Sequence, residues 1–410
     1  MAKFLIVGKS FSGLKSKILE RGDEYLLLQD RQATKFPQKK FKNRIVVDFE
    51  DKNQLSSVVR GLAGRVDGVV TVYEHYILPA AQIADKLGLP GLPIESAKAC
   101  TDKALMRQLF SKSTEKISPE FQIINSREEL LKFSKTHSYP LIIKPANLSK
   151  SLLVTKSDTP RELLKNYKFT LKNITSTYKK FAPGLTPKLL VEEFLEGPVF
   201  SVDAFIDNQG VPHVLEQVVD YQTGYDISYD DNFHYSRVLP SRLPQKKQGQ
   251  IRHVAALGCR ALGMKSSAAH IEIILTKSGP RVVEIGARNG GYRERMHSLA
   301  NGLDLMNMTL DLALGKPVKI RSPRNEPCAV LELFPKVPGI FTGISKQDEL
   351  KNLASLEYFA IKQPLGDYVG KSSEGYKACA IVILHNPDHS AFAGDLEFVN
   401  KNVFVTTQTS

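Results

Sequence analysis

The sequence predicts an α/β and α+β chain, a small parallel-sheet α/β unit followed by a larger α+β body. Three observations predict it. Residues 1–95 alternate short apolar runs with helical stretches. His270–Arg295 reads as two strands of apolar and β-branched residues around the turn-forming cluster Thr276–Pro280. Residues 326–410 add further strand-like runs, AVLELF, KACAIVIL and EFVNKNVFV. Alternation of strand and helix marks parallel pairing through crossovers, whereas two runs joined by a short turn mark an antiparallel hairpin.

The 410 residues allow two or three domains, and 42% hydrophobic content supplies real cores. No apolar run reaches the roughly 18 residues of a membrane span, and the N-terminus lacks a signal-peptide layout. Cys100, Cys259, Cys328 and Cys379 are scattered without CxxC spacing, as reduced thiols of a cytoplasmic protein would be. The net charge of +13 comes from 56 Lys plus Arg against 43 Asp plus Glu. The lysines are spread along the chain, and no tryptophan or aromatic-basic interleaving is present. That distribution argues against nucleic acid; an anionic nucleotide or carboxylate substrate accounts for part of the excess.

In chain order, KFLIVG, EYLLLQD, RIVVDFE and GVVTVYE are the strands of the first unit, with helices over Asn53–Gly64 and Leu78–Leu87. Gly8, Ser10 and Gly13 come after the first strand, but Lys9 and Phe11 crowd that turn and no acidic residue is placed for a ribose. A structural turn is the better reading. A Gly-Leu-Pro turn and a helix then lead to Thr101-Asp102-Lys103, which opens another helix. In YPLIIKPANLSKSLLVTKSD a strand delivers Lys144 and Pro145 into the loop 146–151, and a strand resumes over Leu152–Thr155. That loop has no glycine; Asn147 can take the left-handed conformation, and Ser149, Lys150 and Ser151 offer side-chain donors. The next strand ends at Glu192-Glu193-Phe194-Leu195 and resumes as Val199–Ile206 after Gly197-Pro198. Residues 218–244, rich in Tyr, Asp and Ser, form a long irregular segment of the kind that faces a substrate. A helix over Gln250–Leu262 leads back into the hairpin.

The hairpin carries the first chemistry. Glu272 and Glu284 lie six residues either side of Ser278, so a hairpin centred there opposes them on one face. Opposed residues have Cβ atoms about 5 Å apart, and two facing carboxylates destabilise a sheet. A hard cation such as Mg²⁺ turns that repulsion into ligation. Two unrelated glutamates on a solvated outer face would read the same. The residues after Glu284 favour ligation: Arg288-Asn289-Gly290-Gly291 is a tight glycine turn, with Arg293 and Arg295 just beyond. Carboxylates beside arginines and permissive backbone suit a phosphorylated, anionic substrate.

H-x-E, a hairpin, then V-E-I-x-x-R-x-G-G resembles the metal-binding end of the ATP-grasp fold. The likeness runs over roughly residues 65–340, in the order lysine, lysine, hinge, paired glutamates, arginine. It implies a two-lobed ATP-grasp fold behind the N-terminal α/β unit. Domain expectations are 1–95 for that unit, 96–325 for the nucleotide-binding and catalytic core, and 326–410 for a closing α+β subdomain. By resemblance, Lys103 and Lys144 reach the nucleotide phosphates, and loop 146–151, with Ser149 and Ser151, closes over them. Glu192 faces the adenine amino group, Glu193 and Leu195 meet the base through backbone, and Glu196 takes the ribose hydroxyls. Glu272 and Glu284 hold Mg²⁺, for which Mn²⁺ is a substitute, and Arg288 stabilises the acyl-phosphate region. Arg293 and Arg295 are candidates for a substrate carboxylate, and surface arginines on a helix would read the same. Three departures stand out: the glycine-free loop, Val199 where many relatives have Glu, and Gly286 where relatives carry Asn as a third ligand.

Within the superfamily, ELFPKVPGIFTGI and EIGARNGG resemble the carboxylate–amine ligases of amino acids and short peptides. The implied reaction is ADP-forming amide synthesis through an acyl phosphate. Its partners are a small-molecule carboxylate and an amine, with a homodimer allowed. Two other classes share the nucleotide site: a non-catalytic ATP-binding subunit or sensor, and an ATP-grasp kinase or carboxylate–thiol ligase.

Overall fold

A computed structural model of the chain describes residues 1–34, 42–148, 152–182 and 184–408. Strands β1 (Lys3–Gly8), β2 (Glu24–Asp30), β3 (Arg44–Val47) and β4 (Gly68–Val70) form a parallel sheet in the order β3-β2-β1-β4. Their unbroken apolar runs reflect burial on both faces. Leu5 and Val7 of β1 face Val59 of α2 (Lys52–Arg60) and Ile83 of α3 (Ile77–Leu87). Phe4 and Ile6 face the other way, onto Leu14 and Ile18 of α1 (Ser12–Glu20) and onto Met306 and Leu310 from far along the chain.

Beyond α3, which ends at left-handed Gly88, α4 (Ile94–Thr101) gives way to α5 (Lys103–Phe110) at Asp102. Asp102 is extended, and its carboxylate accepts from the Ala104 and Leu105 N–H groups at 2.9 and 3.3 Å. That N-cap fixes Lys103 as the first residue of α5. A small lobe comes next: β5 (Phe121–Ile123), α6 (Arg127–Thr136), β6 (Leu141–Pro145), β7 (Thr155–Ser157), α7 (Pro160–Phe181) and β8 (Leu189–Glu193). Its antiparallel sheet runs β5-β8-β6-β7. The strand expected from Leu152 begins only at Thr155, because Leu153 takes a positive φ of 57° that interrupts extended backbone.

The large sheet begins with β9 (Val199–Ile206), β10 (Pro212–Val214), β11 (Val219–Thr223) and β12 (His234–Leu239). Helix α8 (Gln245–Ala261) precedes the hairpin β13 (Ser267–Thr276) and β14 (Gly279–Gly286), and α9 (Arg293–Asn301) and α10 (Leu305–Ala313) come after it. The chain ends with β15 (Cys328–Leu333), β16 (Gly339–Ile344), α11 (Gln347–Lys351), β17 (Leu356–Ile361), β18 (Tyr368–Val369), β19 (Ala380–His385), α12 (His389–Asn402) and β20 (Val405–Gln408). The order is β14-β13-β9-β11-β12-β15-β19-β17, with β10 paired to β9. Strands β15, β17 and β19 thus extend the sheet that holds the hairpin, while β18-β16-β20 form a separate three-stranded sheet. Among the described residues no helix is long and apolar enough to cross a membrane.

One face of the large sheet rests on α8 and α4 through Val202, Ile271, Ile273, Val282 and Ile285. Side chains alternate along each strand, so the opposite face of β13 presents His270 and Glu272. Ile271 is fully buried and pairs with Val202 of β9. Ile271→Ala is expected to cost about 2–5 kcal/mol. The measurement is a urea melt, where the midpoint should fall at unchanged slope.

Candidate nucleotide and metal site

Glu272 stands directly opposite Glu284. The turn itself does not produce this. It closes with Thr276 opposite Gly279, and a regular ladder from there would oppose Glu272 with Val283. A bulge adds one residue on β14, so that Ile273 pairs with Val282 and Glu272 with Glu284. The extra residue returns Glu284 to the face of Glu272, the re-aiming that bulges perform beside functional sites.

Cations answer the paired carboxylates. Lys103 Nζ lies 2.9 Å from Glu284 Oε1 and donates to the Leu148 carbonyl at 3.1 Å, linking the hairpin to the small lobe. Burial pushes the Glu272 carboxyl up, but neighbouring His270, with the charges of His234 and Arg237, holds it well below the usual range. His270 is itself raised to about 10: burial pushes the imidazole down, and Asp203, 3.0 Å from Nδ1, overrides that. Asp203 also accepts from the Gly290 N–H at 3.3 Å. A Cβ on residue 290 would lie 2.4 Å from His270 Nδ1, so the turn needs glycine there.

On the small lobe, Lys144 at the end of β6 is buried and lies 2.6 Å from Glu192 Oε2. Arg107, one turn after Lys103 on α5, donates to the two oxygens of Glu192 at 2.9 and 3.4 Å and to the Val283 carbonyl at 2.8 Å. Glu192 is therefore the counterion of a buried triad, with both oxygens already engaged. Burial pushes its carboxyl up, and Arg107 and Lys144 together hold it below its ordinary value. Lys144 is lowered to about 8, by burial against the pull of Glu192 and with the repulsion of Arg107. Arg107 is a site residue that the sequence reading misses; its position four residues after Lys103, on the same helix face, is the available signal.

The hinge lies at the end of β8. The Glu193 N–H donates to the Glu120 carbonyl at 3.0 Å and is not free for a base, while Leu195 is partly buried and Glu196 exposed. Ser149 and Ser151 lie outside the described residues.

The arginines separate. Arg288 Nε lies 2.7 Å from Glu74 of the N-terminal unit, and its Nη1 donates to the Asn289 carbonyl at 3.0 Å. Arg293 needs correction as a substrate residue. It is fully buried, donates to Ser201 Oγ at 2.9 Å and to the Tyr221 hydroxyl, and lies 3.4 Å from Asp203. It opens α9 and points into the sheet, so its guanidinium belongs to the interior. Arg295 is half-exposed and pairs with Glu357 at 3.3 Å, away from the carboxylate pair.

Profiles of known families match this arrangement: the ATP-grasp domain over residues 137–294 and the ATP-grasp N-terminal domain over residues 24–91. The chain belongs to the ATP-grasp superfamily. The crystal structure of L-amino acid ligase from Bacillus licheniformis superposes with a TM-score of 0.81 at 18% identity, covering 100% of this chain and 99% of that one. Alanine–anticapsin ligase of Bacillus subtilis strain 168 is 26% identical over 264 residues, 61% of this chain and 54% of that protein. D-alanine–D-alanine ligase of Thermoanaerobacter sp. strain X514 is 25% identical over 185 residues, 43% of this chain and 48% of the relative. The chain thus spans about half the length of these two curated relatives.

ATP-grasp proteins bind ATP and Mg²⁺, and the residues here fit that pair. Two facing carboxylates offer hard oxygen donors to a divalent cation. No group of three or more His, Cys, Asp or Glu among the described residues is arranged to hold a metal. An ion at Glu272 and Glu284 would complete its shell from phosphate oxygens and water, the usual habit of Mg²⁺.

The lowered pKa of Lys144 sets a pH dependence. A phosphate held by Lys144 would need the charged lysine, whose pKa burial lowers to about 8 from the ordinary 10.5. ADP affinity should therefore fall as pH rises beyond 8, by up to about tenfold per unit. Lys144→Arg, which stays charged, should flatten the fall in calorimetric titrations between pH 7 and 9.5. Parallel slopes in the two proteins would assign the titration elsewhere.

Proposed function

We propose that this chain is an ATP-dependent carboxylate–amine ligase that forms ADP, phosphate and an amide. The observation that carries the reading is the opposition of Glu272 and Glu284 beneath two nucleotide-side lysines, Lys103 and Lys144. The named relatives, an alanine–anticapsin ligase and a D-alanine–D-alanine ligase, support amide formation between amino acids.

In this reading the substrate carboxylate attacks the γ-phosphorus in line, and the bond to the ADP oxygen breaks. An amine then attacks the acyl carbon, the carbon–oxygen bond to phosphate breaks, and the amine proton leaves with solvent. Lys103 and Lys144 hold the phosphates, and Arg288 meets charge on the phosphoryl being transferred. When bound, Mg²⁺ neutralises the phosphate oxygens. Leu195 presents backbone to the base, and exposed Glu196 is free to reach the ribose. Glu192 acts at one remove, by holding Lys144. Such catalysis is positioning and charge neutralisation more than covalent chemistry.

We assign residues 1–95, 96–325 and 326–410 to the N-terminal unit, the ATP-grasp core and the closing subdomain. Four buried free thiols are compatible with a cytoplasmic setting. Incubation with ATP, Mg²⁺ and a library of amino acids and dipeptides should yield a product lighter than its two substrates by one water. A phosphorylated product without condensation would favour a kinase. Glu284→Gln should abolish ADP release with little change in melting temperature; turnover near the wild-type level would remove the metal assignment.

A further inference from the structure

We propose that Glu74, from the N-terminal unit, is the positioning residue of Arg288, and that Gly286 provides the space through which it reaches the site. The proposal rests on the reading of Arg288 as the phosphoryl-side cation. Glu74 lies beyond β4, at the carboxyl end of the parallel sheet, where open α/β sheets present their functional loops. The other face of that sheet is packed by Met306 and Leu310 of α10, so the loop is held against the ATP-grasp core.

Three observations converge on Glu74. Its carboxylate is 2.7 Å from Arg288 Nε. Both of its oxygens are shielded from solvent, and neither accepts a well-aligned hydrogen bond among the described residues, so the ion pair is what holds them. A Cβ on residue 286 would lie 3.1 Å from Glu74 Oε2 and 3.8 Å from Arg288 Cζ. Any side chain at 286 would press on this carboxylate, which glycine leaves unhindered.

The pair leaves Arg288 aimed. Glu74 takes Nε and the Asn289 carbonyl takes Nη1, while Nη2 has no hydrogen-bond partner among the described residues. An arginine held on two sides offers its remaining N–H groups in a fixed direction, which is what a cation meeting developing phosphoryl charge requires. A third metal carboxylate is the competing role for Glu74. The close guanidinium favours positioning.

The test uses MgADP with aluminium fluoride, a mimic of the transferring phosphoryl group that needs no knowledge of the amide substrates. Glu74→Gln should weaken binding of the mimic about tenfold, the scale of a lost charge-assisted contact, and leave MgADP alone within about twofold. The double variant Glu74→Gln, Arg288→Ala should be no weaker than Arg288→Ala, because a positioning residue acts through its partner. Gly286→Ala, which presses on Glu74 from the other side, should mimic the loss even if Glu74→Gln fails to fold. Unchanged binding, additive losses, or loss of Mn²⁺ affinity by electron paramagnetic resonance would each overturn the proposal. So would a wild-type protein that binds MgADP and gains nothing from aluminium fluoride. Tight mimic binding without any condensed product would remove the ligase reading and leave this one standing.

Discussion

Two carboxylates on adjacent strands of one sheet face repel each other, and the rest of the site is arranged around that repulsion. Glu272 and Glu284 face each other only because β14 carries a bulge. Lys103 answers Glu284 from the small-lobe side, and His270 with its Asp203 partner answers Glu272 from within the sheet. Each cation is fixed by a separate local device. The Asp102 cap starts α5 at Lys103, and the bare backbone of Gly290 lets the turn close against His270. Had these been hydrophobic positions, the hairpin would be more stable and chemically inert.

The same economy holds on the nucleotide side. Lys144 is kept in a buried place by Glu192, and Glu192 is balanced a second time by Arg107, which also bonds the Val283 carbonyl beside the bulge. Arg107 therefore links the hinge of the small lobe to the strand that carries Glu284. A buried charge is costly unless paired and hydrogen-bonded. Removal of one member would leave the others exposed to that cost, so the lysine and the hairpin are coupled through α5. The N-terminal unit enters through Glu74, which ties the glycine turn after β14 to a third part of the chain.

Much of this is legible in the sequence, where local chemistry decides. Apolar runs locate the strands of the N-terminal sheet, and Thr101-Asp102-Lys103 marks a helix start that the Asp102 cap realises. The pairing of Glu272 with Glu284 can be read from even spacing about Ser278, although the turn lies between Lys277 and Ser278 and the bulge supplies the missing residue. What sequence does not reveal is direction and distance. Arg293 and Arg288 look alike in a row of arginines, but α9 turns the former inward to Asp203 while Glu74 holds the latter at the cleft. Glu192 reads as an acidic hinge residue, and only folding brings Arg107 and Lys144 onto it. The strand resuming at Thr155 rather than Leu152 reflects one left-handed residue that composition does not announce.

The central claim is that the paired carboxylates hold the cation that accompanies ATP between the two lobes. The most direct measurement is anomalous diffraction from crystals grown with Mn²⁺ and a non-hydrolysable ATP analogue. The account predicts a manganese peak bonded to carboxylate oxygens of both Glu272 and Glu284, with the analogue's phosphates also within reach of Lys103 and Lys144. A manganese peak elsewhere, or a nucleotide bound away from the hairpin with Lys103 still paired to Glu284, would contradict it.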